Sequence, residues 1–171
     1  GYQTYTGSLR VDDAEVQTRA VVLTPLPGTL MIESIPPSAT VSLSGTVIGV
    51  TPLTIDEVDA GEVTVNLVAE RYLPYETTIE VTGRAQTQRF SASLTPGWAR
   101  VSVETIPAEV SVSIDQQNVD RSAVTSSEQV LEVMQGAREI TFSAPGYIDE
   151  VVELKAVADT DVDLGTIELT P

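Results

Sequence analysis

Apolar residues fall at every second position in a succession of short runs bounded by glycine and proline. Leu30/Ile32 and Val101/Val103 open two such series, and Val41/Leu43 and Val110/Val112/Ile114 follow an Ile-Pro turn in each. Val63/Val65/Leu67 and Ile140/Phe142 come next, entered through Gly61 and Gly136. Thr77/Ile79/Val81 and Val152/Leu154 form a fourth pair of runs. Phe90/Ala92/Leu94 close the first series, matched in the second by Val162/Leu164 and Ile167/Leu169. A period of two puts alternate side chains on one face, so each run predicts a half-buried strand. Shorter strands near 47–49 and 53–57 bring the count to about seven. The alternation slips at Gly165, which predicts a bulge. Residues 127–135 carry Val130, Leu131 and Met134 at helix-compatible spacing, yet strand is the preferred reading. Together the runs predict an all-β chain of small antiparallel β-sandwiches.

The pattern repeats. Leu-Thr-Pro occurs at Leu23-Thr24-Pro25, Leu94-Thr95-Pro96 and Leu169-Thr170-Pro171, and a tyrosine precedes each leucine by 21 (Tyr2), 22 (Tyr72) and 22 residues (Tyr147). After the proline a glycine restarts the pattern, at Gly28 and Gly97. Three repeats are therefore expected: 1–27, only the C-terminal part of a unit; 28–96; and 97–171. Two or three strands cannot form a sandwich alone, so 1–27 is expected to pair with unit 28–96, with another chain, or with sequence beyond this segment. The opening at Gly1-Tyr2 reads as a cut from a longer polypeptide. No apolar run approaches the roughly 20 residues of a membrane helix.

Composition narrows the chemistry. The 171 residues include 9 basic and 25 acidic side chains, a net charge of −16, 42% apolar residues, and no histidine or cysteine. The apolar content suffices for packed cores. The charge opposes nucleic acid and anionic membranes as partners. Without histidine the usual general base is missing, and without cysteine so are thiol nucleophiles and disulfides. Lys155 is the lone lysine. Carboxylate chemistry alone is left, and a non-enzymatic role is expected.

Unit 28–96 resembles the PEGA domain family. The likeness lies in Gly28, the stretch Ser34-Ile35-Pro36-Pro37-Ser38-Ala39, Val41, Gly45, Gly49-Val50-Thr51-Pro52-Leu53, Gly61, Tyr72 and Leu94-Thr95-Pro96. Pro36-Pro37-Ser38-Ala39 stands where the family has Pro-Glu-Gly-Ala. Unit 97–171 looks like a diverged copy that keeps Ile106-Pro107, Gly136 and Gly146-Tyr147. It has Asp120-Arg121-Ser122-Ala123 in place of Gly-x-Thr-Pro, and an insertion around 124–129. Residues 1–27 resemble the family's last third. The resemblance implies small Ig-like or transthyretin-like sandwiches, found in tandem on exported or membrane-tethered proteins, and it implies no catalytic residues and no cofactor.

Several residues invite a functional reading. Asp159, Asp161 and Asp163 superficially match a calcium loop, but Leu164 intervenes before Gly165 and the alternation makes Asp161 and Asp163 a solvated strand face. Asp56, Glu57, Asp59 and Glu62 surround a turn; glycosidase chemistry needs two acids across a cleft, and few aromatics accompany these. Tyr2/Tyr5 and Tyr72/Tyr75 recur at spacing three, while Tyr147 is followed by Glu150. Their recurrence favours tyrosines packed at a sandwich corner, hydrogen-bonding backbone through the hydroxyl, over a carbohydrate platform. Trp98, just after Pro96-Gly97, reads as glue between adjoining units.

These features suggest a spacer or scaffold segment of an exported, envelope-anchored protein, outside the cytoplasm, presenting or docking a neighbouring domain or a protein partner. A module for envelope polysaccharide is the alternative, as is an assembly subunit that uses 1–27 for strand addition.

Overall fold

Strands with one apolar face need a second layer to cover it. In the computed structural model, which describes residues 1–8, 18–118 and 128–171, two seven-stranded units supply those layers. Gly1–Ala69 with Pro74–Leu94 form the first unit, and Glu70–Leu73 with Thr95–Pro171 form the second. No helix occurs among the described residues. The segments 120–123 and 124–127 that distinguish the second unit in sequence lie outside them.

The first unit holds β1 (Gly28–Ile35), β2 (Thr40–Leu43), β3 (Thr46–Val50), β4 (Leu53–Val58), β5 (Gly61–Val68), β6 (Tyr75–Val81) and β7 (Thr87–Ser93). They form a three-stranded sheet, β4-β1-β7, and a four-stranded sheet, β3-β2-β5-β6. The second unit holds β8 (Trp98–Ile106), β9 (Ser111–Ile114), β10 (Gln117–Asn118), β11 (Glu128–Met134), β12 (Gly136–Ser143), β13 (Glu150–Ala156) and β14 (Asp161–Glu168). Its sheets have the same order, β11-β8-β14 and β10-β9-β12-β13. Residues 128–134 are thus strand.

Pairing is antiparallel except between the first and last strands of each unit. There β1 runs parallel to β7 and β8 parallel to β14. The alternation is realised directly: Leu30 and Ile32 are fully buried on β1, as are Val101 and Val103 on β8 to within 1%. Leu67 and Phe142 fill the centre of the two cores from β5 and β12. The register of β14 shifts between Asp163 and Thr166, with Gly165 at φ +66°, so the slip in the pattern is a bulge. The β2–β3 and β9–β10 turns each put two residues at positive φ, Ser44-Gly45 and Asp115-Gln116, as a two-residue hairpin turn requires.

The described part of 1–27 forms no ladder. It makes a single bridge, Tyr2 with Pro25, and its chain end meets the β6–β7 loop through Arg84 N–H to the Leu26 carbonyl (2.6 Å) and Ala85 N–H to that of Pro27 (3.0 Å).

Candidate functional site

The recurring tyrosine and Leu-Thr-Pro come together three times. Tyr2 bridges Pro25 and Tyr72 bridges Pro96. In each case the residue after the tyrosine donates its N–H to the threonine carbonyl: Gln3 to Thr24 (2.8 Å), Leu73 to Thr95 (2.9 Å), and likewise Ile148 to Thr170 (2.7 Å). In the first two, the residue after the proline donates back to the carbonyl before the tyrosine, Leu26 to Gly1 (2.9 Å) and Gly97 to Arg71 (2.8 Å). The segments clasp one another through backbone, so only the geometry of the chain and a short reach between the two stretches are required. This explains the nearly fixed spacing read from the sequence. Each bonded backbone pair is satisfied by the other segment, which matters most at the second clasp, where Tyr72 and Leu73 are partly buried.

A ring or a cation covers the tyrosine. In the first unit the Arg84 guanidinium lies 5.1 Å from the centre of the Tyr2 ring. In the second, Trp98 meets Tyr72 edge-on at 5.1 Å, with planes 81° apart, an arrangement aromatic quadrupoles favour. The Arg71 guanidinium lies 4.8 Å from the centre of the Trp98 ring and its Nη2 donates to Glu132 Oε2 at 2.7 Å. Both partners of that ion pair are about half exposed, so the pair fixes geometry more than it stabilises. Among the described residues no tyrosine hydroxyl bonds to backbone, so the expected hydroxyl anchor is replaced by the backbone clasp and the ring.

The register corrects the two restarting glycines. Thr29 N–H donates to the Gln86 carbonyl as Arg100 N–H does to that of Thr160, and Ala85 meets Pro27 as Asp159 meets Trp98. Trp98 thus corresponds to Pro27, Gly97 to Leu26, and Gly28 to Ala99. Gly97 is small for its own reason: a Cβ there would lie 2.5 Å from the Arg71 carbonyl oxygen.

The acidic candidates scatter. Asp159 sits in the turn before β14 at φ +55°, Asp161 is exposed on β14, and Asp163 Oδ1 accepts the N–H of Gly165 at 2.8 Å, tying down the bulge. Asp56 Oδ1 accepts from the Thr29 hydroxyl (2.9 Å), while Glu57, Asp59 and Glu62 are exposed. No group of three or more acids among the described residues could hold a cation. Tyr75 lies half-buried against Phe90, ring centres 6.4 Å apart, and Tyr5 is exposed beside Arg19.

Besides a small pocket of about 130 Å³ beside Trp98 and Asp159, two larger open grooves lie among the described residues. One, of about 510 Å³, lies between Ile35, Pro37, Pro52 and the end of β7. The other, of about 540 Å³, surrounds Arg138. Sequence reasoning passed over Arg138. Its guanidinium donates to Asp115 Oδ2 (2.6 Å) and to the carbonyls of Met134 and Gln135 (3.0 Å each), so three of its five N–H donors are engaged within the fold. The backbone N–H of Glu139, and then Arg138, hold the Asp115 carboxyl below its ordinary value. Glu33, Ser34, Ser91 and Ser93 line the first groove and Glu153 and Lys155 the second, and among the described residues no hydrogen bond pairs a hydroxyl or the lysine there with a carboxylate.

Residues 27–97 match the PEGA domain family. No curated protein matches the chain. Among solved structures the chain is similar to the Bacillus anthracis TIE protein, with 11% identity and a TM-score of 0.40 over 84% of this chain and 34% of that one. The chain thus spans about a third of that structure's length. PEGA is a non-catalytic domain family whose members occur in exported proteins, and a PEGA domain at 27–97 fits a non-catalytic extracellular module. No helix among the described residues is long and apolar enough to cross a membrane.

Proposed function

We propose that the chain is a tandem of PEGA-like sandwiches, with 97–171 a diverged copy of 28–96 and 1–27 the end of a preceding one. It serves as a non-enzymatic spacer or scaffold in an exported or envelope-anchored protein, holding a neighbouring domain or protein partner at a set place. One observation carries this reading: the same strand order and the same tyrosine clasp recur in both units. A spacer must limit motion at its joints. The chain leaves the first unit at 69/70, returns at 73/74 and leaves again at 94/95. Nitrogen-15 relaxation on residues 1–171 tests it. A common rotational correlation time for both units is expected. Independent tumbling in the unaltered chain would sink the spacer reading.

A polysaccharide module finds weaker support, since Tyr72 and Tyr75 turn their rings onto Trp98 and Phe90. Titration with envelope polysaccharide checks it, and saturable binding lost on Tyr75→Ala would favour it over the spacer.

A further inference from the structure

Strand β7 ends the three-stranded sheet of the first unit with an open edge. In its parallel pair with β1, Thr29 N–H donates to the Gln86 carbonyl and Leu94 N–H to that of Ile35, so the even-numbered residues of β7 spend their backbone groups on β1. The N–H and C=O of Arg89, Ser91 and Ser93 therefore face outward, and they have no partner among the described residues. The other edges are blunted. β4, β6, β11, β13 and β14 each carry at least one acid, β3 has a register shift in its ladder, and β10 is two residues long. β7 has none of these, and its lone charge is Arg89. On the solvent face the register puts Glu33 beside Ser91 and Ile35 beside Ser93. Both serines are small, so no large side chain screens the Glu33 carboxylate from the edge. The groove of about 510 Å³ opens here, with Glu33, Ile35, Ser91 and Ser93 among its walls. Neither Glu33 nor Arg89 has a hydrogen bond or ion pair from its side chain among the described residues. In the second unit the matching Glu104 accepts from the Thr166 hydroxyl across the same pair of strands, at 3.3 Å.

We propose that β7 is a self-association edge, to which a second copy of the chain adds its own β7 antiparallel, with Arg89 of each copy paired to Glu33 of the other. A two-fold axis at Phe90 sets Arg89 opposite Ser91 and Thr87 opposite Ser93. All four residues turn their backbone groups to the edge, so the copies exchange hydrogen bonds there and share one six-stranded sheet. Facing Cβ atoms in such a pair lie about 5 Å apart. Only the small Ser91 then separates Arg89 of one copy from Glu33 of the other, a gap that an arginine spans, and the groove leaves room for its guanidinium. The Thr87 methyl lies towards Ile35, which is 71% exposed in the single chain. Charge singles out this occupant and this register. A net charge of −16 opposes contact between copies wherever acid meets acid, whereas here each unpaired acid meets an unpaired base. An axis at Ser91 would instead put Arg89 opposite Ser93, beside Ile35, and leave Glu33 without a partner. The proposal sets two chains side by side and does not depend on the spacer reading.

Sedimentation equilibrium of residues 1–171 over a wide range of concentration tests it, together with amide exchange along β7. The average mass should rise from 18.2 kDa towards twice that value, and the N–H groups of Arg89 and Ser91 should gain protection in step. Arg89→Glu brings two carboxylates together at each contact and should weaken the dimer about tenfold or more. Glu33→Arg brings two cations together and should do the same. An equimolar mixture of the two variants should restore the dimer, because each copy then supplies the charge that the other lacks. Ser91→Pro removes an outward N–H without touching the bonds to β1, and should abolish the dimer. If that variant fails to fold by circular dichroism, the charge variants still decide, since both change exposed side chains. A chain that stays monomeric at every concentration overturns the proposal, and the edge is then left to an extended segment of another protein. A dimer indifferent to both charge variants also overturns it, as does one that each variant abolishes and their mixture fails to restore.

Discussion

The two units share a strand order but close the end of their first strand differently. In the first, Ser34 Oγ on β1 meets Thr51 Oγ1 at 2.6 Å and the Pro36 carbonyl at 2.5 Å, and Thr51 Oγ1 accepts the N–H of Ala39 at 3.0 Å. Thr51 is 2% exposed, so four polar groups are satisfied out of water by one another. In the second unit the register puts Thr105 where Ser34 stands. Its hydroxyl is buried and has no partner among the described residues. In the other sheet of each unit the charges differ instead. The Ser44-Gly45 turn of the first unit is matched by Asp115-Gln116, and there Asp115 and Arg138 bind the hairpin to β12 and to the carbonyls of Met134 and Gln135. One unit is tied by neutral hydroxyls beneath its proline turn, the other by a charge-assisted hub at its hairpin.

The cores offer the largest effect by which to test whether the units are separately stable. Phe142 is fully buried where Leu67 lies in the first unit. Phe142→Ala should cost the second unit about 3–5 kcal/mol, and Leu67→Ala should cost the first about 2–5 kcal/mol. Trp98 is the lone tryptophan, so its fluorescence in urea follows the second unit, while amide exchange on β1 and β5 follows the first. Loss of stability in both units from either substitution would mean that they unfold as one.

Next come the close approaches at the clasps. The first unit has Leu26 in the clasp and Gly83 in the loop, where a Cβ would lie 2.5 Å from the Leu26 carbonyl oxygen. The second has Gly97 in the clasp, crowded by Arg71, and Val157 in the loop. Gly97→Ala is expected to destabilise the second unit by about 1–3 kcal/mol, because backbone rather than a side chain must give way. Gly83→Ala should do the same to the first, with added strain from its φ of +61°. Urea midpoints read through Trp98 and amide exchange check each, and an unchanged midpoint for Gly97→Ala would mean that the clasp is loose.

The hydroxyl contrast comes third. Thr51→Val removes the acceptor of the Ala39 N–H and leaves Ser34 only its bond to the Pro36 carbonyl, at about 1–3 kcal/mol for the N–H left unpaired. Thr105→Val removes a hydroxyl that has no partner among the described residues, and a smaller loss than that of Thr51→Val is expected. Equal losses from the two substitutions, measured by the same unfolding curves, would erase the distinction.

Much of this architecture was legible in the residues. Alternation located Leu30, Ile32, Val101 and Val103, because burial on one face and water on the other leave a period-two record. Gly165 was legible as a bulge since its slip moves the following apolar residues back in phase. The tyrosine-to-proline spacing marked a real joint, though not its chemistry: backbone bonds leave no side-chain signature. Alternation carries no strand direction, which hid the parallel pairing of β1 with β7 and of β8 with β14. Gly28 and Gly97 look equivalent in sequence, but only hydrogen-bond register separates them. Arg138 was passed over for a similar reason, since a lone arginine on a strand gives no sign that carbonyls of the preceding turn converge on it.

The smallest effect concerns charge at the hairpin. Asp115 occupies φ +48°, accepts the N–H of Glu139 at 3.1 Å and takes the Arg138 guanidinium on its other oxygen. These bonds favour the ionised carboxyl, so its folded value lies below the ordinary 3.8. A group depressed in the fold contributes its stability in full above its unfolded value and loses it as pH falls through the folded one. Asp115→Asn isolates that charge, since asparagine also tolerates the left-handed backbone. The melting difference between the unaltered chain and Asp115→Asn should therefore hold constant from neutral pH down towards 3.8 and shrink below it. The first unit, with Ser44-Gly45 in that turn, should show no such dependence at its own hairpin. A difference that stays flat to pH 2 would show that the Glu139 and Arg138 bonds do not distinguish the two protonation states, and that the charge-assisted hub is held by shape alone.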